Sequence, residues 1–268
     1  MSSLLNVPKA VLPESLRRYV RVRHRDFVFW RAITKFSRNP LGVIAAPGTV
    51  ISDLIYGWGN EGWSASNEYL LSCLQLACAS HGPILECGSG LTTILLGVIA
   101  QSTGNTVWAL EHDQLWYKRV NRYIRRFKIL SVRLCFSPLK DFGDFSWYSA
   151  PLEQMPDKFV MVVCDGPPGH TRGGRYGLLP VMKQRLKPGA TILLDDAGRE
   201  QEKAIAIRWA DELGTTYRTL GFKKPFIQIT IPAFFEKSPT QGAHSSPALW
   251  QLHDGTGHRP GSRYTRKT

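Results

Sequence analysis

The densest group of residues that could bind a ligand lies in the segment 83–94, which reads PILECGSGLTTI. A short apolar run ends at Cys87, and Gly88 and Gly90 then allow a tight turn and close approach of a ligand to the backbone. A helical pattern follows, with its positive end facing the turn. The negative charge of Glu86 beside the turn would repel a pyrophosphate but suits a cationic amino acid portion.

A second carboxylate narrows the class of ligand. Glu111 ends the next apolar run, 25 residues after Glu86, where a carboxylate can accept hydrogen bonds from both hydroxyls of a ribose. A dinucleotide-binding fold requires glycine or alanine at the third glycine position of G-x-G-x-x-G, and here that position is Thr93. The pattern therefore favours a nucleoside over a dinucleotide. Capping or solvent exposure is the alternative role for Glu111.

Three further acids follow two later apolar runs. Asp165 comes directly after residues 159–164, and Asp195 and Asp196 follow residues 190–194. Ligands of open parallel sheets bind at the carboxyl ends of the strands, so we expect these acids to lie close together. Their mutual repulsion must be offset by a cation, which is either a bound metal ion or nearby arginines.

The loop after Asp165 reads GPPGHTRGGRY and adds basic groups. His170 could take a proton from an acceptor hydroxyl near neutral pH, although an ordinary loop histidine is the simpler interpretation. Arg172 and Arg175 could bind an anionic acceptor or simply be solvated. The run resembles the D-P-P-Y motif of enzymes that methylate base amino groups only distantly. It lacks the aromatic residue that stacks on a flipped base.

The elements that must position these residues follow from the apolar pattern. Five short apolar runs recur about every 25 residues with helical patterns between them, which indicates parallel strands joined by right-handed helical crossovers. They cover residues 84–87, 106–111, 132–136, 159–164 and 190–194. A helix over 201–213 and a hairpin of 216–220 with 226–231 complete a seven-stranded α/β sheet. Residues 14–36 and 66–79 read as helices, and 137–157 as a long loop.

On these residues the chain resembles the class I S-adenosylmethionine-dependent methyltransferases, over roughly residues 63–231. The resemblance is closest to the variety with the turn E-x-G-S-G-x-T-T, here residues 86–93. It implies a Rossmann-like, doubly wound sheet of order 3-2-1-4-5-7-6 with the last strand antiparallel. The implied cofactor residues are Glu86, Gly88, Ser89 and Gly90 for the methionine portion, Glu111 and His112 for the ribose, and Ser137 to Leu139 for the adenine. Thr92 replaces the third glycine of the common form, and a hydroxyl there can cap the helix.

The same resemblance bears on catalysis. In this family the end of strand four faces the transferred methyl group, so Asp165 is the leading catalytic and cofactor-contacting candidate, followed by His170. Asp165, Asp195 and Asp196 also resemble the carboxylates with which catechol-type O-methyltransferases bind Mg²⁺. The second position of the pair is usually Asn in that family and is Asp196 here. Capping of the following helix is the alternative role for the pair.

Composition excludes several classes of protein. In 268 residues, 43% are hydrophobic and 21% charged, which excludes wholesale disorder, a coiled coil and a collagen-like fibre. No apolar run approaches the roughly 20 residues of a membrane span. We expect no signal peptide, since the first thirty residues carry scattered basic residues without an apolar block. Five cysteines without paired spacing argue against a disulfide framework or a zinc cluster and fit a reducing cytosol, so we expect a cytoplasmic protein.

The net charge of +13 is concentrated in residues 9–38, residues 118–140 and the tail from Lys237. Solvated faces explain most such clusters, and residues 117–127 indeed form a helical pattern with basic residues around its polar side. We predict a basic helical extension at 1–62, a methyltransferase domain at 63–232 and a disordered basic tail at 233–268. The sequence leaves the oligomeric state open.

Three functions fit these observations. We expect methylation of an oxygen on a small or glycan-like, possibly anionic, acceptor. An RNA or protein methyltransferase is the alternative, although a nucleic acid partner is not favoured. An alternative of another class is a non-catalytic scaffold or a peripheral membrane protein that uses the basic, aromatic stretch 19–36.

Overall fold

The computed structural model describes residues 13–60 and 65–233. The helices are α1 (Glu14–Arg38), α2 (Pro40–Ala45), α3 (Val50–Trp58), α4 (Asn67–Ala79), α5 (Leu91–Thr103), α6 (Gln114–Arg126), α7 (Leu178–Met182) and α8 (Glu200–Leu213). The strands are β1 (Ile84–Cys87), β2 (Val107–Glu111), β3 (Val132–Phe136), β4 (Leu139–Asp141), β5 (Ser146–Tyr148), β6 (Phe159–Cys164), β7 (Leu186–Leu194), β8 (Tyr217–Leu220) and β9 (Phe226–Thr230).

Seven of these strands form one sheet in the order β3-β2-β1-β6-β7-β9-β8. The first five are parallel, and β9 runs antiparallel to both β7 and β8. With the separate pair β4 and β5 left out of the count, this is the order 3-2-1-4-5-7-6, so the predicted fold is confirmed. The strands β1 and β6 are almost wholly buried, because helices cover both faces of a parallel sheet.

The region 137–157 differs from its prediction as a long loop. It holds the two-stranded antiparallel sheet of β4 and β5, paired from Leu139 with Tyr148 to Asp141 with Ser146, and a single 3₁₀ turn. Trp147 and Tyr148 are buried in the core on one side of the main sheet. Strands of three residues are too short to display a period of two, so the sequence pattern could not reveal them.

The first three helices pack onto the other side of the main sheet. The second half of α1 buries Phe29, Ile33 and Phe36 in the same hydrophobic cluster as Trp58 of α3 and side chains of α4, α5 and α6. The predicted domain boundary near residue 62 lies in the undescribed 61–64 and stays a prediction. Of the predicted tail at 233–268, only residue 233 is described, so that prediction lies outside the described residues. No helix within 13–60 or 65–233 is both long and apolar enough to cross a membrane.

Candidate active site

The carboxyl ends of β1, β2, β6 and β7 border a cavity of about 600 Å³, a size typical of small-molecule sites. From these strand ends and the turns after them it is lined by Gly88, Ser89, Gly90, Leu91, Thr92, Glu111, His112, Asp113, Asp165, Gly166, Asp195 and Asp196. Other elements contribute Trp58, Leu115, Trp116, Arg119, Tyr148, Arg175, Arg199 and Lys224, among others. Four strands that are distant in sequence thus deliver polar side chains to one space.

The glycines of the turn after β1 serve different purposes. Gly88 has φ +90°, and a Cβ there would lie 3.0 Å from the Gly166 nitrogen, so only glycine lets this turn pack against the end of β6. At Gly90 a Cβ would meet no atom within 4 Å. The Gly90 nitrogen donates to the Thr93 hydroxyl at 2.8 Å. Gly88 is therefore needed for packing, whereas Gly90 leaves open space on the cavity wall.

Glu111, at the end of β2, holds this turn in place. Its Oε2 accepts hydrogen bonds from the Ser89 nitrogen at 3.1 Å and the Ser89 hydroxyl at 2.7 Å, and its Oε1 accepts from the Asp113 nitrogen at 2.8 Å. Burial alone would raise the pKa of Glu111, but the nearby His112 and the hydrogen bonds from Asp113 and Ser89 lower it below its usual value. The carboxylate is ionised, and it can still accept further hydrogen bonds on its cavity side.

Glu86 lies within β1, 1% exposed, and does not line the cavity itself. Its Oε2 has no hydrogen-bond partner among the described residues. Burial raises the pKa of Glu86 well above its usual value, a hydrogen bond from Thr93 opposes this, and the charges of Asp165 and Glu111 add to the increase. A buried carboxyl with an unpaired oxygen is rare and points to a missing donor or to a ligand.

The three acids predicted after the fourth and fifth strands do lie together, and Arg175 joins them. Its Nη2 donates to the Asp165 carbonyl at 2.8 Å, to Asp165 Oδ1 at 3.2 Å and to Asp196 Oδ2 at 2.7 Å. Its Nη1 donates to the Asp195 carbonyl at 2.6 Å. Because the Arg175 side chain is only 2% exposed, this guanidinium is an internal counter-charge for the cluster.

This arrangement does not support the Mg²⁺ site that the resemblance offered as one possibility. The guanidinium of Arg175 occupies the position from which a cation would neutralise Asp165 and Asp196. Asp195 turns its Oδ1 to the Asp196 nitrogen at 2.8 Å instead. No cluster of at least three acidic, histidine or cysteine side chains suited to a metal ion occurs in the described part of the chain. Of the two ways to offset the carboxylates, arginine is the one the structure supports.

Asp165 has the electrostatics of a group that exchanges protons. Burial raises its pKa to about 7, with Asp195 and Asp196 adding to the increase and Arg175 and Arg199 opposing it. About a third of its side chain, 34%, remains exposed, and Asp165 lines the cavity. A cavity-facing carboxyl that titrates near neutral pH is suited to general acid or base chemistry.

The remaining predicted residues are placed as follows. Ser89, Thr92 and His112 line the cavity, and His112 Nδ1 lies 3.3 Å from Glu111 Oε1. Ser137 is fully buried and Leu139 half-buried, and neither lines the cavity. His170 is exposed and outside it. Their assigned roles stay predictions.

Aromatic residues that the sequence analysis did not select form one wall of the cavity. Trp116 Nε1 donates to the Ser89 carbonyl at 2.7 Å and so anchors the glycine turn to α6. The Arg119 guanidinium lies 4.8 Å from the ring centroids of both Trp58 and Trp116 and donates to the Trp58 carbonyl. A contact between α3 and α6 has no signature in the sequence pattern, where Arg119 looked like part of a solvated face.

Comparisons with known proteins find only distant structural similarities. The sequence matches no protein-family model and no curated protein. Among solved structures it is similar to an RNA methyltransferase from Salinibacter ruber in complex with S-adenosyl-L-homocysteine. That match has 17% identity and a TM-score of 0.42, and it covers 65% of this chain and 97% of the other.

Two further structures have similar values. A methyltransferase from Pyrococcus furiosus is 19% identical over 71% of this chain and 98% of the other, with a TM-score of 0.46. A precorrin-6Y C5,15-methyltransferase from Geobacter metallireducens is 14% identical over 64% and 94%, with a TM-score of 0.43. Similarities at this level carry no argument about activity or acceptor.

Proposed function

We propose that this chain is an S-adenosylmethionine-dependent methyltransferase that binds its cofactor in the 600 Å³ cavity. The observation that carries the proposal is the ionised Glu111 carboxylate, hydrogen-bonded to the glycine turn after β1 and open to the cavity. The carboxylate can accept hydrogen bonds from the ribose of a nucleoside, and the turn lets the rest of the ligand approach the protein backbone closely. Membership of the variety with the turn E-x-G-S-G-x-T-T stays part of the proposal.

The residues present fit this cofactor. Glu111, with His112 beside it, would accept the ribose hydroxyls. Glu86 does not line the cavity, so its predicted contact with the amino group of the methionine portion stays a prediction. The cofactor supplies a methyl group that is already activated for in-line displacement, so alignment is the main task of the protein.

The charges around the cavity favour a small acceptor that is not strongly anionic. The described cavity lining contains five acidic and four basic residues. The acids are Glu111, Asp113, Asp165, Asp195 and Asp196, and the bases are Arg119, Arg175, Arg199 and Lys224. Because the pKa of Asp165 is raised to about 7 and that of Asp195 is also raised, these acids and bases come close to balance near neutral pH, although the whole chain carries +13. Phosphates of a nucleic acid would meet no cationic funnel here. We therefore propose O-methylation of a small molecule.

Asp165 is the proposed proton acceptor for that hydroxyl. It lines the cavity, and Arg175 fixes both its backbone carbonyl and its Oδ1. An ionised Asp165 can accept the hydroxyl proton while the oxygen attacks the methyl carbon. Arg175 is not a proton donor at physiological pH, so its part is to position the carboxylate.

Removal of the Glu111 carboxylate tests the cofactor site. In Glu111→Ala, S-adenosylhomocysteine should bind about 2 kcal/mol more weakly, the scale of hydrogen bonds to a charged group. Isothermal titration calorimetry measures this. Asp113→Asn is the matched control, because Asp113 also lines the cavity but its side chain caps α6 through the Trp116 nitrogen. Unchanged affinity in a folded Glu111→Ala protein contradicts the proposal.

The two glycines provide a second test, in which stability and binding separate. Gly88→Ala forces a side chain into a positive φ and against Gly166, and it should cost about 1–3 kcal/mol of unfolding free energy. Gly90→Ala meets no protein atom, so the melting temperature should stay close to wild type while S-adenosylhomocysteine affinity falls. Thermal unfolding and calorimetry of both variants check this. A Gly90→Ala protein with full affinity would place the ligand elsewhere.

A further inference from the structure

Helix α1 carries a stripe of exposed apolar side chains on the side facing away from the core. The stripe consists of Leu16, Tyr19, Val20, Phe27 and Trp30, which are 42%, 61%, 53%, 58% and 51% exposed. At 100° per residue these five positions fall within an arc of about 100° and extend over about 20 Å. We call it the outer stripe.

The outer stripe is distinct from the side of α1 that packs against the core. The core-facing side of α1 is separate and buries Val28, Phe29, Ala32, Ile33 and Phe36. The second half of the helix is thereby fixed to the domain, and residues 13–24 are exposed on every side. A rigid helix thus presents an exposed apolar face that the hydrophobic core does not use, in two parts with Arg23 between them.

The helix that carries the outer stripe is strongly basic. Helix α1 contains eight arginine and lysine residues against the two acids Glu14 and Asp26. Arg17, Arg18, Arg21 and Arg23 are exposed. Helices with an apolar stripe of Trp, Phe and Leu and with many basic residues bind in the plane of membrane interfaces.

A shallow cavity of about 440 Å³ lies at the end of the outer stripe, beside Trp30. Its other described lining residues are Arg31, Thr34, Lys35, Arg38 and Asn39. The described lining therefore offers three cations, of which Arg31 also pairs with Asp53 at 3.3 Å, and it contains no acidic residue. This is the charge complement of a lipid phosphate placed next to an apolar surface.

We propose that α1 docks on an anionic lipid surface, with the outer stripe in the headgroup region and the cations of the shallow cavity on lipid phosphates. Two other occupants fit less well. Single-stranded nucleic acid would use the aromatic rings and the cations but would leave Leu16 and Val20 in water. A second copy of the chain, paired stripe to stripe, would bring two strongly basic helices together. The proposal is independent of methyl transfer.

Co-sedimentation of the full chain with vesicles tests this surface. Wild type should sediment with phosphatidylcholine vesicles that contain phosphatidylserine, and much less with phosphatidylcholine alone. The double variant Phe27→Ser/Trp30→Ser should lose at least about tenfold in partitioning for each side chain removed. Lys35→Gln/Arg38→Gln should lose about fivefold for each charge and become less sensitive to salt.

Phe222→Ser is the matched control, because Phe222 is an aromatic residue 91% exposed outside α1, and it should sediment like wild type. All variants change exposed side chains, so equal melting temperatures verify folding. Vesicle binding that is absent in wild type, or equal in Phe27→Ser/Trp30→Ser, overturns the proposal. Two other results would also overturn it, in each case with wild type not binding vesicles. Wild type could bind a polyuridine oligonucleotide, or it could form a dimer, and only Phe27→Ser/Trp30→Ser would lose that property.

Discussion

Replacement of Arg175 by methionine should lower the free energy of unfolding by about 3 kcal/mol, the low end of the cost of removing one partner from a buried charged network, because Asp165 and Asp196 are partly exposed and Arg199 still pairs with Asp196. The variant leaves the Asp165 and Asp196 carboxylates without their shared cation and two buried backbone carbonyls without a donor. The loss of unfolding free energy should be largest near pH 8 and smaller near pH 5, because protonation of Asp165 removes part of the uncompensated charge. Urea unfolding at the two pH values measures it.

Arg175→Lys is the matched control for this prediction. Lysine keeps the charge but lacks the planar fork that reaches three residues at once, so an intermediate loss is expected. Because arginine supplies the cation, EDTA or added Mg²⁺ should leave the melting temperature and S-adenosylhomocysteine affinity of wild type unchanged. A clear increase in either with Mg²⁺, or a stable Arg175→Met protein, contradicts the assigned role.

The substitution Asp165→Asn should reduce turnover by about 100-fold or more, the usual contribution of a general base. Affinity for S-adenosylhomocysteine should change only a few-fold, because the lost group acts on the acceptor. Turnover of wild type should rise with pH through about 7, where Asp165 becomes ionised. Transfer of a radioactive methyl group to a small-molecule fraction provides the assay. His170→Gln is the control and should retain activity, since His170 lies outside the cavity.

The same carboxyl gives a pH signature that needs no acceptor. In the folded chain the pKa of Asp165 is about 7, above its unfolded value of about 3.9. The contribution of its neutral form to stability is therefore complete below about pH 4 and is lost as pH rises through about 7. Asp165→Asn should raise the melting temperature above pH 7 and reduce this decline. Parallel pH profiles for wild type and variant contradict the raised pKa.

The main sheet could be predicted because its strands are buried on both faces and therefore appear as nearly continuous apolar runs. The turn at Gly88 and the carboxylate at Glu111 were recognisable because their chemistry is local and their spacing is fixed by one strand-helix-strand unit. The short strands β4 and β5 were missed, since three residues give no period. Helices α2 and α3 were not separated within the predicted extension either.

Contacts across the fold account for what the sequence could not reveal. Whether Asp165, Asp195 and Asp196 bind a metal ion or an arginine depends on where the loop after β6 folds back, and only the structure places Arg175 among them. The contact of Arg119 with both Trp58 and Trp116 likewise joins two helices far apart in sequence. The exposed side of α1 looked like one basic, aromatic stretch until the buried residues defined which side faces outward.

Calorimetric titration of wild type with S-adenosylhomocysteine, with NAD⁺ as the comparison ligand, decides whether the cavity holds the proposed cofactor. We expect one binding site for S-adenosylhomocysteine, with affinity reduced in both Glu111→Ala and Gly90→Ala. NAD⁺ should give no measurable heat, because Thr93 replaces the small third residue of a dinucleotide turn. Binding of NAD⁺ by wild type would rule out the proposed cofactor site. So would folded wild type that binds neither ligand.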